Sequence, residues 1–379
     1  MIIIFASAIG RFPIGGNTWS DLQYLLGLRA LGHDVFYLEE CGAESWVYNW
    51  ESGQLTTELD YPSNYIQSCL EPLGFRDHWI YRAGKRSRGM NVDKFLEICS
   101  RSDLMIIRGS PISLWREDYQ RPRCRIFIDA DPGFTQIKIA TGDADFVETI
   151  EHCDALFTIG QRIGTKDCPI PTTGRLWLKT LPPIFLPSWT WVEDENAKHF
   201  STIMQWHSYP EVVYGGIRYG NKDKEFPKFI ELPKLSQQSF QIALSGGDPD
   251  NLSQNDWQSV PGHAATFTPE SYRQFVQSSR AEFGVAKQGY VAAQSGWFSD
   301  RSVCYLASGK PVLLQDTGLS DWLPIREGII TFQTLSEAVE GVNLINATYH
   351  TQRRAARTIA EEYFDSNKVL SLLLKACLG

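Results

Sequence analysis

Short apolar runs recur along the whole chain, each broken by turn-forming residues and separated from the next by helical spacing, and this limits what it can fold into. The first forty residues set the pattern. Ile2 to Ala6 form an apolar run, followed by Gly10, Pro13, Gly15 and Gly16. Trp19, Leu22, Leu25, Leu26 and Leu28 then recur at helical spacing from a polar start at Asn17-Thr18, with Asp21 in the first turn. Leu31-Gly32-His33-Asp34 stops that helix, and Val35-Phe36-Tyr37-Leu38 returns as a second strand. Strand, helix and strand in that order predict a right-handed crossover within a parallel sheet. Runs at 104–107, 125–128 and 155–158 continue the series, and a second series follows at 200–204, 240–244, 283–286 and 311–314. Between them, 169–187 is rich in proline and threonine and reads as an irregular crossing. A long helical region at about 335–374 closes the chain.

A chain of 379 residues exceeds one ordinary core, which stops growing at roughly 250–300 residues. The expectation is therefore α/β, with two Rossmann-like domains facing one another across a cleft. Composition removes other classes. The chain is 43% hydrophobic and 21% charged, as globular proteins are. Its 36 basic and 44 acidic residues give a net charge of −8, with no long basic stripe, so no nucleic-acid partner is expected. No apolar stretch approaches the ~18–20 residues of a membrane helix. The start lacks a basic n-region, so a transmembrane segment and a signal peptide are not expected and the cytoplasm is. The eight cysteines stand singly with no C-x-x-C pair, which suits reduced thiols and not a zinc cage; no metal site is expected. Twelve tryptophans and 15 tyrosines suit ring stacking or core volume equally. Nothing selects an oligomeric state.

In doubly wound sheets, ligands bind outside the carboxyl ends of the strands, so residues just after each run are the candidates. Ser295-Gly296-Trp297-Phe298-Ser299-Asp300-Arg301-Ser302 is a glycine-bearing loop entering a helix that stops at Gly309. Its free amides and Arg301 would hold a diphosphate, or Ser299 and Asp300 merely cap the helix while Arg301 pairs with a carboxylate. Gln315-Asp316-Thr317-Gly318 follows the next strand and offers hydrogen bonds to sugar hydroxyls, or is a plain turn. Asp129 and Asp131 end a strand of the first domain and are candidates for a general base, or for the anchor of a turn. Glu39 and Glu40 are weaker choices. His33 reads as structural, and His207 either faces the cleft or lies in a loop. Gly10-x-x-x-x-Gly15-Gly16 departs from the dinucleotide fingerprint, which disfavours a dinucleotide-dependent oxidoreductase.

Three stretches carry a family resemblance: Ala307-Ser308-Gly309-Lys310-Pro311-Val312 followed by a polar residue, Asp and Gly; the Gly15-Gly16-Asn17 loop with its helix ending Ala30-Leu31-Gly32-His33-Asp34-Val35; and the closing helix around 353–364. Together, in that order, they resemble the GT-B glycosyltransferases at both ends of the chain. The resemblance implies three parts: 1–186 as an N-terminal acceptor domain, 187–352 as a nucleotide-sugar domain, and 353–379 as a C-terminal helix packing back on the first. It implies a UDP-, GDP- or dTDP-linked sugar as co-substrate, no resident cofactor, and transfer without an obligatory metal to a small-molecule, lipid or polymer acceptor. On the donor side it places Lys222, Gly246, Gly247, Ser295, Gly296, Ser299, Arg301, Ser302, Gln315, Thr317 and Gly318, with Phe267 near the base or in the core. Gly15, Gly16 and Asn17 fall on the acceptor side. The chain departs from the pattern of retaining members, whose glutamates align with Cys304 and a position near Ser295. Asp316 then becomes the acid near the sugar. Gly296-Trp297 is similar to the inverting branch, but the histidine expected ahead of it is missing, which leaves Asp129 and Asp131 for the base. A GT-B nucleotide-sugar epimerase and a catalytically inactive sugar-nucleotide-binding protein remain the alternatives.

Overall fold

The computed structural model describes residues 1–50, 52–194 and 196–378. The first half contains β1 (Ile2–Ala6), β2 (Asp34–Glu40), the hairpin β3 (Val47–Asn49) and β4 (Gln54–Thr56), β5 (Trp79–Ala83), β6 (Arg86–Gly89), β7 (Leu104–Arg108), β8 (Cys124–Asp129), β9 (Ala155–Thr158) and β10 (Trp177–Lys179). The second contains β11 (Phe200–Gln205), the hairpin β12 (Val212–Tyr214) and β13 (Ile217–Tyr219), β14 (Phe240–Ser245), β15 (Trp257–Pro261), β16 (Ala281–Gly284), β17 (Val312–Gln315) and β18 (Ile329–Phe332).

The second-half sheet runs β15-β14-β11-β16-β17-β18, all parallel. Counted from its first strand this is 3-2-1-4-5-6, the doubly wound order, which reverses between β11 and β16. The first-half sheet, β10-β9-β8-β7-β1-β2-β5-β6, reverses in the same way between β1 and β7; its edge strand β6 is antiparallel. Helices cover both faces, so Ile3, Ile4 and Phe5 of β1 are all fully buried, which explains its unbroken apolar run.

The structure adjusts several expectations. The run read at 283–286 is paired at 281–284, because Glu282 takes a place inside the strand with its carboxylate neutralised by Arg301. The proline-rich stretch 169–187 is not wholly irregular: β10 lies in it as the sheet edge. The first helix spans Gly15–Ala30 and starts at Ile14 without a side-chain cap. Asn17 lies inside its first turn, where Nδ2 donates to the carbonyl of Ala8 and ties down the loop after β1. Asp21 falls one turn further in and is buried.

Contacts at helices and linker help join the halves. A Cβ on Gly15 would lie 2.3 Å from the carbonyl oxygen of Thr268, so only glycine allows the first helix to meet the helix Pro269–Gln277 so closely. Trp189 is fully buried between Trp19, at 4.9 Å, and Tyr272, at 6.3 Å. Finally, the helix Ser366–Leu378 packs on the first helix, where Leu370 and Ser366 meet Gly27. Arg353 precedes this return: its guanidinium bonds the carbonyls of Gly309 and Val192 in the second half. No helix among the described residues is long and apolar enough to cross a membrane.

Candidate active site

A cleft of about 530 Å³ lies between the halves at the two points where strand order reverses. Ser7 and Arg108, at the ends of β1 and β7, line one wall with Gly16, Asn17 and Asp131. Lys222, Lys287, Ser299 and Arg301 line the other.

The second wall is cationic. Lys222 is 9% exposed, and among the described residues its ammonium has no hydrogen-bond or ion-pair partner. Burial holds it well below the usual lysine range, and Arg301 pushes the same way. Arg301 itself is anchored: Nε donates to Glu282 Oε1 at 2.6 Å and Nη1 to the carbonyl of Ile203 at 2.8 Å, spanning the β11–β16 reversal. Lys287 donates to both oxygens of Asp131 at 3.1 Å and sits 4.3 Å from the ring centre of Tyr209. Tyr290 also donates to Asp131. A second bridge crosses the cleft deeper down, where Arg108 contacts Asp21 at 3.0 Å and Asp300 at 3.2 Å.

Among the residues expected from sequence, Lys222, Ser299, Arg301, Gly16, Asn17 and Asp131 come together around this cleft. The Ser299 hydroxyl caps its helix by accepting from Arg301 N at 3.2 Å. Others lie elsewhere. Asp129 is fully buried and accepts from Thr158 Oγ1 at 2.7 Å, Gln136 Nε2 at 2.8 Å and the Asp131 amide at 2.9 Å, and so anchors the turn after β8. Asp131 does reach the cleft, where Lys287 and Tyr290 hold its oxygens in a bridge. Asp316 caps a turn, accepting from the amides of Gly318 and Leu319 and from Gln333 Nε2.

Its neighbours are scaffold for the same reason. Gln315 is buried between the Glu225 carboxylate and the Ala286 amide. Thr317 Oγ1 donates to the carbonyl of Trp297, and the Gly296 amide donates to that of Thr317. Gly318 is pressed against Arg162. Ser295 and Ser302 are fully buried, with hydroxyls that find no partner among the described residues. Gly246 and Gly247 are exposed after β14, turned over the Trp206 ring. Gly15 serves the contact between halves. Phe267 packs on Tyr65 and His263, and exposed His207 lies 3.7 Å from Asp223. Glu39 binds the amides of Gly10 and Arg11, while Glu40 pairs with Arg116; both hold loops.

Sequence reasoning passed over Ser7, Arg108, Lys287 and the aromatic pair Tyr209 and Tyr290. Three of them follow strands and were open to the strand-end rule; the aromatics carry no local signature. Among the described residues no group of three His, Cys, Asp or Glu side chains is placed to hold a metal ion.

No protein-family model matches the chain, and no curated protein matches it in sequence. Solved structures do match along almost its whole length. An alpha-glucosyltransferase in complex with UDP and a 13-mer DNA containing a HMU base is 12% identical with a TM-score of 0.64, covering 99% of this chain and 98% of that one. Sucrose-phosphate synthase from Thermosynechococcus elongatus is 12% identical with a TM-score of 0.55 over the same shares. A glycosyltransferase from Rickettsia africae is 11% identical with a TM-score of 0.53, covering 99% and 97%. The fold is GT-B. At this identity the likeness is one of architecture, so the GT-B cleft of this chain must be read from its own residues.

Proposed function

We propose that this GT-B protein is a glycosyltransferase that moves a sugar from a nucleotide-sugar donor to an acceptor nucleophile. Lys222 carries the argument. A buried ammonium with no hydrogen-bond or ion-pair partner among the described residues is costly; it lies beside Arg301 at the strand-order reversal, and the Glu282 carboxylate that favours its charge is already held by Arg301. A diphosphate is the group that would neutralise it, and the helix start at Ser299–Asp300 adds amides and a positive dipole end. Because these cations meet the donor's charge, the transfer needs no obligatory metal. The matching alpha-glucosyltransferase structures hold UDP, which supports the same donor class here.

In this reading 187–352 holds the donor, 1–186 the acceptor, and 353–379 ties the halves together, in a cytoplasmic enzyme without a resident cofactor. DNA stands in several of the matching alpha-glucosyltransferase structures, but a net charge of −8 argues against a polyanionic acceptor. A small molecule, a lipid or a polymer remains the acceptor class.

Thermal shift with UDP, GDP, dTDP and NAD tests the donor. A nucleoside diphosphate at about 100 times its dissociation constant should add roughly 2.7 kcal/mol, and NAD nothing. Lys222→Gln should lose most of that gain while its unliganded form melts no lower than wild type. Stabilisation by NAD alone, or an undiminished gain in Lys222→Gln, rejects the assignment. Arg301→Ala is the poorer probe, because it strands Glu282 and would cost about 3–5 kcal/mol of stability.

A further inference from the structure

We propose that Ser7 and Asp21 form the proton path of the acceptor: the Ser7 hydroxyl on the cleft wall takes the proton of the attacking hydroxyl as it passes its own to Asp21. This rests on the glycosyl-transfer reading above and names the group that reading left unassigned. Four observations carry it. Ser7 follows β1 directly and lines the cleft. Its Oγ donates to Asp21 Oδ1 at 2.8 Å, and a hydroxyl that donates once still has lone pairs to accept with. Asp21 is fully buried on the first helix and reaches the cleft lining through Ser7 and Arg108, of which the Ser7 hydroxyl is the one able to relay a proton; its Oδ2 has no hydrogen-bond partner among the described residues. Asp21 is buried and paired with Arg108 as Asp131 is paired with Lys287, but Asp21 keeps that one oxygen free of hydrogen bonds among the described residues. Three donors close on Asp129, and Lys287 meets both oxygens of Asp131.

The surroundings suit a base that works near neutrality. Burial lifts the Asp21 carboxyl to about 6, while Arg108 opposes the lift by ion pair and hydrogen bond. Of the other charged or titratable groups facing it, Asp300 raises it further; Tyr24, Tyr37 and Glu39 complete the set. Glu39 is itself lifted to about 7 by burial, against the pull of the Gly10 amide, Tyr37 and the Arg11 amide. Arg108 also ties Asp21 to Asp300, the neighbour of Arg301, and so couples the proton path to the donor side.

The step balances. A lone pair of the acceptor oxygen forms the bond to the anomeric carbon as the bond from that carbon to the diphosphate breaks, its electron pair leaving with the nucleoside diphosphate. The acceptor's proton goes to Ser7 Oγ and the Ser7 proton to Asp21 Oδ1, which later returns it to water by the same route. Ser7 is the catalytic residue, and Asp21 acts through it.

The test uses the full chain with UDP-glucose, GDP-mannose and dTDP-glucose, following nucleotide release to water, glycerol and p-nitrophenyl glucoside. Ser7→Ala should lower kcat roughly 100-fold or more, the usual scale of acid–base catalysis, with the donor-induced Tm shift unchanged. Ser7→Thr should keep most of the rate. Wild-type kcat should fall as pH drops through about 6, because the carboxyl must be ionised to accept the proton, and Ser7→Ala and Asp21→Asn should lack that limb. Ser7→Ala leaves the Asp21–Arg108 pair intact, so it decides the matter even where Asp21→Asn fails to fold. Full kcat in Ser7→Ala, or donor binding with no release to any of the three nucleophiles, overturns the relay. Failure of every nucleotide to shift Tm is a different result: it removes the glycosyl-transfer reading, and the relay falls with it.

Discussion

Two buried lysines and one buried aspartate show how context decides what a charge is for. Lys222 lies at the reversal point of a sheet, where a ligand can compensate it. Lys310 is buried away from the cleft, its ammonium without a hydrogen-bond partner among the described residues, and held at about 8 first by burial and then by Arg353. Its folded value lies below the unfolded one, so between about 8 and the ordinary lysine range the unfolded chain binds more protons. The penalty is full below pH 8 and fades as pH rises. Calorimetry should therefore find Lys310→Met more stable than wild type at pH 7, by a margin that shrinks toward pH 10. Asp129 is the converse, since three donors converge on its carboxylate. Asp129→Asn should cost about 1–3 kcal/mol in urea unfolding while the folded fraction turns over at the wild-type rate. A lost kcat with unchanged stability would return Asp129 to the catalytic set.

Among the elements, the first helix does most to build the cleft. It begins at a glycine pressed on the Thr268 carbonyl, places Asn17 under the β1 loop, buries Asp21 one turn on, and meets the last helix at Gly27. Gly15→Ala should cost roughly 1–3 kcal/mol, because the atom it meets is backbone and cannot rotate away. The linker supplies the matching wedge. Trp189→Ala would empty the space between Trp19 and Tyr272 and should cost about 3–5 kcal/mol in the same assay. Loss of less than 1 kcal/mol in both would mean that the halves stay together by other contacts.

For the whole molecule, the two bridges across the cleft are the decisive feature. Asp131–Lys287 and Asp21–Arg108–Asp300 span the cleft itself, while helices, the linker and the 161–162 loop join the halves beside it. Lys287→Met should raise the radius of gyration in small-angle scattering, and bound nucleotide should reverse the rise; an unchanged radius would show that this pair does not hold the cleft.

The alternation of apolar run and helix was enough to read two parallel sheets from the sequence, because strands covered on both faces must be apolar throughout, as Ile2–Ala6 is. Strands that carry charge or sit at an edge, such as Ala281–Gly284 and Trp177–Lys179, lack that pattern and needed the tertiary structure. The family resemblance brought Lys222 into view, and the strand-end rule the loop that carries Arg301. Which carboxylate faces solvent was beyond it: Asp129, Asp131 and Asp21 are chemically alike, and only the folded chain seals the first among three donors, pairs the second with a lysine from the other half, and leaves the third behind a serine. The sequence determined where the wholly apolar strands lie, since burial and turn chemistry are local. Tertiary structure decided which of their ends meet, since a partner more than a hundred residues away leaves no local mark.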